Sequence, residues 1–206
     1  MVQKGMNRLS LAFLKSRLSL NPHPPEPPPG LQPAGVLAPV FFADDQPHLL
    51  FTQRTMTVRD HRGQISFPGG VQTAADPDFL ATALRETQEE IGLAPGEVEP
   101  LGALTPVATV TGYWITAFVG VIPYPHDFRL NPEEVKSLLL LPLAGFCVPQ
   151  RWNSGDYTYH DRIVRVCCWK HQGTVIWGAT ARLLLDLLER LGENPFPGGK
   201  DAPCVD

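Results

Sequence analysis

No stretch of the sequence contains the roughly 18 unbroken apolar residues that a helical membrane span requires, so no membrane partner is expected. Basic residues are not in excess either, because 17 Lys and Arg stand against 21 Asp and Glu, for a net charge of −4. Binding to nucleic acid in general needs a basic face, which disfavours that class of function. An anionic small-molecule substrate would therefore be bound by a local arginine cluster or a metal ion.

The chain is also poor in cysteine and lacks the cysteine spacing of a zinc site. Its four cysteines, Cys147, Cys167, Cys168 and Cys204, include no CxxC pair, and no paired histidines accompany them. The neighbours Cys167 and Cys168 lie in a strand-like run, where they point to opposite faces and are not expected to bridge. We therefore expect a reducing compartment and predict a cytoplasmic location.

Proline is the residue in excess, with 22 among 206 residues, about twice the usual frequency. Residues 21–33, NPHPPEPPPGLQP, read as a proline-rich linker. The length favours one domain with appendages rather than two domains. We predict an N-terminal helix and linker over 1–33, one domain over 34–192, and a flexible tail over 193–206.

The N-terminal segment is basic and contains no acidic residue before Glu26. One interpretation is a transit peptide, which would direct the protein to an organelle matrix. The other is a peripheral helix over 6–20 whose Leu11, Leu14 and Leu18 pack on the domain. The ordinary helical pattern favours the peripheral helix.

The remaining segments alternate irregularly between strand-like and helix-like patterns, which predicts a mixed sheet with helices on its faces. Strands are predicted at 36–42, 49–53, 102–110, 113–122, 156–160 and 163–169, and helices at 78–91, 133–140 and 175–191.

The helix over 78–91 has a stripe of three carboxylates. Glu86, Glu89 and Glu90 fall on the face opposite its apolar residues. Glu86 and Glu90 are four residues apart, which costs a bare helix roughly 0.2–0.5 kcal/mol. A hard divalent cation, which takes oxygen ligands, would explain the stripe, and the alternative is a solvated acidic face. Arg85 lies four residues before Glu89 and can pair with it.

This segment resembles the Nudix box, G-x5-E-x7-R-E-U-x-E-E-x-G-U, in which U is aliphatic. Asp76 stands where the first glutamate would fall, with eight residues rather than seven before Arg85, and Thr87 replaces the first aliphatic residue. The resemblance implies a fold of the α/β class (α+β type), a Nudix-like α/β/α sandwich with a mixed sheet. It also implies diphosphate hydrolysis with Mg²⁺ or Mn²⁺ held by the three glutamates. The matched positions are Gly70, Arg85, Glu86, Glu89, Glu90, Gly92 and Leu93.

The preceding segment, LLFTQRTMTVRDHRGQISFPGG, resembles the motif LLTxR[SA]xxxRxxxGxxxFPGG of coenzyme A pyrophosphatases, with Phe51 inserted and Thr55 in the Ser or Ala place. The resemblance implies hydrolysis of coenzyme A to 4′-phosphopantetheine and adenosine 3′,5′-bisphosphate. The alternative interpretation is that Arg54 and Arg59 are ordinary surface residues on a strand edge. The positions in register are Arg54, Arg59, Gly63, Phe67, Pro68, Gly69 and Gly70, and Arg54, Arg59, Gly69 and Gly70 are the candidate substrate-binding residues.

The resemblance leaves the proton acceptor open between Glu89 and Glu134, with Arg85 as the third candidate catalytic residue. Glu134 would sit where a loop enters the short helix over 133–140, and an ordinary first-turn glutamate is the alternative. Tyr113 and Trp114 could stack on an adenine, although strand alternation predicts that at least one is in the core.

Two rival functions remain. A Nudix hydrolase for ADP-ribose or a dinucleotide would use the same metal-binding helix over 78–91, but the upstream arginine motif favours coenzyme A. A Nudix-fold binding module without catalysis is disfavoured because Glu86, Glu89 and Glu90 are all present. The oligomeric state, the number of metal ions and the preferred form of coenzyme A are open.

Overall fold

The computed structural model describes residues 9–18, 24–56, 63–159 and 162–196. Within these ranges the chain forms three α-helices and eleven β-strands. The helices are α1 Leu11–Arg17, α2 Phe79–Ile91 and α3 Gly178–Arg190. The strands are β1 Gln32–Ala43, β2 Gln46–Arg54, β3 Ile65–Ser66, β4 Gly69–Val71, β5 Glu99–Ala103, β6 Val107–Ala108, β7 Tyr113–Val121, β8 Val135–Pro142, β9 Trp152–Tyr159, β10 Arg162–His171 and β11 Thr174–Trp177.

The main sheet is mixed and is built around β1. The strand order is β3-β2-β1-β7-β5, with β4 also paired to β1, β6 to β7 and β8 to β2. β1 and β7 are parallel, and the other pairs in this sheet are antiparallel. One edge of β1 is shared, because β4 pairs with its beginning and β2 with its end. Gly69 and Gly70 of β4 are thereby held against the centre of the sheet.

Helices cover both faces of this sheet, which confirms the predicted α/β/α sandwich. α2 packs on one face so closely that a Cβ on Gly35 would lie 2.2 Å from the backbone oxygen of Phe79. α3, α1 and a second sheet, β11-β10-β9, cover the opposite face. The two resulting cores are separate clusters, one beneath α2 and one beneath α3. Such layering buries the apolar surface of both faces of the sheet.

The N-terminal helix is packed against the domain. Its Ser10 side chain accepts from the Phe13 backbone, a standard N-cap. Leu14 and Leu18 are buried in the cluster beneath α3, and Leu11 packs partly against it. This is the packing that the peripheral-helix interpretation predicts, on a helix shorter than the predicted 6–20. The linker also contacts the domain, because Trp114 Nε1 donates to the Pro25 backbone oxygen at 3.3 Å.

The predicted helix over 133–140 is wrong, since this segment forms β8, paired with β2. Its leucines alternate between the two cores: Leu138 packs into the cluster beneath α2, and Leu139 and Leu141 into the cluster beneath α3. A strand sends successive side chains to opposite faces, whereas a helix would put them on one side. Similarly, α3 begins at Gly178 rather than at 175, because the preceding residues form β11.

Among the described residues, no helix is long and apolar enough to cross a membrane. Cys147 and Cys168 are free, so Cys167 and Cys168 do not bridge each other, as expected. Cys167 is nevertheless disulfide-bonded.

Candidate active site

The acidic helix α2 has well-defined ends. Asp78 Oδ1 accepts from the Ala81 backbone at 2.8 Å, and Gly92 ends the helix in the left-handed conformation at φ 73°. Its carboxylates do not share one solvated face. Glu90 is 2% exposed and lies on the buried side, whereas Glu89 is 55% exposed. The predicted stripe is therefore split between the interior and the surface.

Glu90 is a buried carboxylate with incomplete partners. Its Oε1 lies 3.4 Å from Arg54 Nη1, and its Oε2 has no hydrogen-bond partner in the described part of the chain. Burial raises the pKa of Glu90 to about 8, the nearby charges of Glu134 and Glu86 act in the same direction, and Arg54 opposes them. Arg54 Nε is likewise buried without a partner. An unpaired buried acceptor is costly, which points to a ligand at this position.

Glu86 lies beside Glu90 and against the glycine pair before α2. A Cβ on Gly70 would lie 2.5 Å from the Glu86 carboxyl carbon, so only glycine allows this approach. At Gly69, where φ is +148°, a Cβ would lie 2.4 Å from the Gly35 backbone oxygen. Burial raises the pKa of Glu86 above its usual range, against the lowering effect of Arg85. The Gly-Gly pair therefore makes room for a carboxylate on one side and for β1 on the other.

Arg85 organises the carboxylates around it. Its Nε and Nη2 donate to Asp76 Oδ1 and Oδ2 at 2.9 and 3.0 Å. Nη2 also lies 2.9 Å from Glu86 Oε1, and Nη1 donates to Glu89 Oε2 at 3.1 Å. Asp76 further accepts from Thr73 and Thr82. These donors, Arg85 first, hold the pKa of Asp76 well below its usual range. Asp76 thus has a role despite its displaced position in the motif.

Glu134 approaches the site from a turn rather than from a helix. The turn follows Asn131, whose Nδ2 donates to Glu134 Oε1 at 3.4 Å. The Thr55 backbone donates to the Glu134 backbone oxygen at 2.9 Å, which ties this turn to the end of β2. The charge of Glu134 raises the pKa of both Glu86 and Glu90, so the three carboxylates lie near one another.

These groups open into a cavity of about 1020 Å³. Six of the residues predicted from the sequence line one end of it. Glu89 does not line the cavity, because its carboxylate is held outside by Arg85. Arg59 lies outside the described residues. The residues that line the acidic end are Arg54, Gly69, Gly70, Glu86, Glu90 and Glu134.

Aromatic side chains line another part of the cavity. Tyr113 and Trp114 both line it and neither is fully buried, so the expectation that one belongs to the core is wrong. Trp177 and the first turn of α3 also line it. No local sequence pattern shows that these residues lie close together, because only the packing of the second sheet and α3 on the main sheet brings them together.

The acidic end has the chemistry of a divalent-cation site without forming a complete one. As the side chains stand, no three His, Cys, Asp or Glu residues of the described ranges converge closely enough to hold a metal ion. The partnerless Oε2 of Glu90 and the mutual repulsion of Glu86, Glu90 and Glu134 nevertheless fit a cation that takes oxygen ligands. The residues present therefore fit Mg²⁺ or Mn²⁺.

Comparison with known proteins identifies the family. The NUDIX domain matches residues 31–162, which is more than half of the chain. The chain belongs to the Nudix family. Its relatives include NudL of Salmonella typhimurium and of Salmonella typhi, Nudix hydrolases that are themselves uncharacterized. Each is 36% identical over 190 residues, which cover 92% of this Nudix chain and 98% of the relative.

Solved Nudix structures are more distant. A MutT/nudix family protein from Enterococcus faecalis aligns with a TM-score of 0.49 and 15% identity, covering 98% of this chain and 76% of that one. An Ap4A hydrolase from C. elegans aligns with a TM-score of 0.47 and 16% identity, covering 55% and 81%. Both scores are below 0.5, and family membership rests on the sequence match.

Proposed function

We propose that this Nudix chain hydrolyses the pyrophosphate bond of coenzyme A, or of a derivative, to 4′-phosphopantetheine and adenosine 3′,5′-bisphosphate. Family membership supports hydrolysis of an acid anhydride. The observation that carries the proposal is the contact between the buried Glu90 and Arg54 in the cavity, in which one carboxylate oxygen of Glu90 has no partner among the described residues. This contact places a residue of the Nudix box on α2 beside a residue of the upstream arginine motif. That motif, rather than the Nudix box, is the basis for coenzyme A.

Glu86, Glu89 and Glu90 are the proposed ligands of Mg²⁺ or Mn²⁺. A bound cation would neutralise the diphosphate and lower the pKa of a water molecule at the site. Glu86 and Glu90 already line the cavity, and Glu89 would need to exchange part of its contact with Arg85 for the cation. The raised pKa of Glu90 is consistent with a carboxylate whose compensating charge is a ligand.

The other residues of the chain bind, orient and accept a proton. Arg54, with Arg59 as the motif implies, would bind phosphate oxygens, and Gly69 and Gly70 would let the backbone approach them. Arg85 would orient Glu86 and Glu89, which it contacts at 2.9 and 3.1 Å.

Two carboxylates can receive the proton of the attacking water, Glu134 and Glu89. Glu134 lines the cavity and Glu89 does not, which supports Glu134.

Product analysis tests the proposal. Purified protein is incubated with Mg²⁺ or Mn²⁺ and equimolar coenzyme A, ADP-ribose and NADH, and the products are identified by mass spectrometry. We expect selective appearance of 4′-phosphopantetheine. Cleavage of ADP-ribose or NADH instead would keep the metal helix but refute the role of the arginine motif. Absence of any cleavage, with metal bound, would indicate a binding module.

A further inference from the structure

The cavity carries a second group of positive charge away from its carboxylates. Arg165 on β10 and Arg182 on α3 line the same cavity as Glu86 and Glu90. Neither β10 nor α3 contributes a carboxylate to the described lining. The cavity of this acidic chain therefore has an acidic end on α2 and a basic end on the opposite layer.

Arg165 points towards the cavity because of its place on the strand. Cys167 and Trp169, two and four residues further on, are buried in the core beneath α3. Side chains two apart on a strand share a face, so Arg165 continues the face of Cys167 and Trp169 to a position where it is exposed to solvent and lines the cavity. Its Nε donates to Ser154 Oγ at 2.8 Å, which orients the guanidinium. Asp156, opposite Arg165 in the strand register, is exposed and does not line the cavity.

Arg182 lines the cavity from α3, which packs against β10, and its side chain is exposed. It lies between two cavity-lining residues of α3, Ala179 and Leu183, and Leu183 is itself buried. The rest of the lining is largely apolar and includes Val107 and Ile115. A ligand that satisfies both ends therefore carries two separate anionic groups joined by a less polar part.

We propose that Arg165 and Arg182 bind a phosphate monoester of the substrate that is remote from the scissile diphosphate. This inference rests on the proposed function and narrows it to nucleoside diphosphate conjugates with an additional phosphate. In coenzyme A that group is the 3′-phosphate of the ribose, which ADP-ribose and NADH do not have. Arginine binds phosphate through paired, charge-assisted hydrogen bonds, so the contact discriminates between these substrates.

The test compares coenzyme A with 3′-dephospho-coenzyme A. The wild type, Arg165→Gln, Arg182→Gln and the double variant are assayed with both, and Lys170→Gln is the matched control. Lys170 is an exposed cation on the same strand that does not line the cavity, so its removal changes the net charge equally. We expect the double variant to raise KM for coenzyme A roughly tenfold and to leave kcat, and KM for the dephospho substrate, nearly unchanged.

Direct binding provides a readout independent of turnover. By isothermal titration calorimetry, the wild type should bind adenosine 3′,5′-bisphosphate roughly tenfold more tightly than AMP, and the double variant should lose this difference. Circular dichroism melting confirms that the variants are folded.

The two possible failures are distinguishable. If the wild type hydrolyses neither coenzyme A nor its dephospho form, the proposed function is wrong. If it hydrolyses both with the same KM, or if the double variant weakens both alike, only the assignment of Arg165 and Arg182 is overturned. Unchanged discrimination between the bisphosphate and AMP in the double variant would also overturn it.

Discussion

Arg85 and Asp76 form a two-pronged ion pair, with Nε–Oδ1 and Nη2–Oδ2 distances of 2.9 and 3.0 Å. Asp76 is 5% exposed at its side chain, and the same guanidinium also contacts Glu86 and Glu89. The pair therefore fixes the arginine that orients two of the proposed metal ligands. Asp76 therefore anchors Arg85 although it stands one residue away from the position of the first glutamate in the Nudix box.

Asp76→Asn is expected to lower kcat by roughly 10–100-fold with the fold retained, because Arg85 loses its main anchor. The pKa of Asp76 is depressed in the folded state, so its contribution to stability is present above the unfolded pKa of about 3.9 and is lost as pH falls. The variant should therefore show a shallower loss of stability in acid. Urea denaturation at several pH values measures this.

Asp78→Asn is the matched control for this change. Asn caps a helix about as well as Asp, so turnover and stability should stay near wild type. Equal losses in the two variants would argue that Asp76 has no particular role.

Glu90 should make metal binding depend on pH. Its pKa is raised to about 8, mainly by burial, so the metal-free protein carries a neutral Glu90 at pH 7. Binding of Mg²⁺ should release a proton, and the affinity should rise with pH up to about 8, by at most roughly tenfold per pH unit. Calorimetric titration in two buffers of different protonation enthalpy counts the proton. A Glu90→Gln control should release none, and a wild-type affinity independent of pH would refute the assignment.

The raised pKa of Glu90 also predicts how the stability of the metal-free protein changes with pH. Between the unfolded pKa of about 4.3 and the folded pKa of about 8, the folded state holds a proton that the unfolded state has lost. The contribution of Glu90 to the free energy of unfolding therefore falls as pH rises through this window. Glu90→Gln should remove that slope in urea denaturation, and an identical slope in both proteins would contradict the burial of Glu90.

Gly70→Ala should impair the site more than the fold. The new Cβ would lie 2.5 Å from the Glu86 carboxyl carbon, the far end of a flexible side chain, so Glu86 would have to turn away. We expect a loss of at least about tenfold in kcat with little change in melting temperature. Gly96→Ala is the control, because a Cβ there meets nothing within 4 Å. Full activity in Gly70→Ala would show that the position of Glu86 is unimportant.

Leu14→Ala tests whether the N-terminal helix belongs to the folded domain. Leu14 is fully buried, so its truncation should cost about 2–5 kcal/mol in the free energy of unfolding. Lys15→Ala removes only an exposed ion pair with Glu99 and should cost less than about 1 kcal/mol. Chemical denaturation compares the two. A neutral Leu14→Ala would favour the transit-peptide interpretation.

Local signals in the sequence predicted local structure. The cap at Asp78 and the stop at Gly92 place α2 within one residue of the prediction. The leucines of β8 are compatible with a helix or a strand, and only the pairing of this segment with β2 decides between the two structures.

The candidate site was predicted where it lies within one motif and missed where it is assembled by tertiary packing. Helical spacing groups Glu86, Glu89 and Glu90, but it cannot show that Glu90 is buried, which depends on the neighbouring β1–β4 segment and Arg54. Arg165 and Arg182 lie more than 70 residues beyond the motif and carry no spacing signal of their own.

Coenzyme A and Mg²⁺ are incubated with the wild type and with Glu90→Gln, and both products are followed by mass spectrometry. We expect equal amounts of 4′-phosphopantetheine and adenosine 3′,5′-bisphosphate from the wild type. We expect at least a hundredfold slower formation by a folded Glu90→Gln protein, roughly the effect of losing one key charge contact in catalysis. Intact coenzyme A after incubation with folded, metal-bound wild type, or full activity in Glu90→Gln, would refute the metal-dependent hydrolysis of coenzyme A at this site.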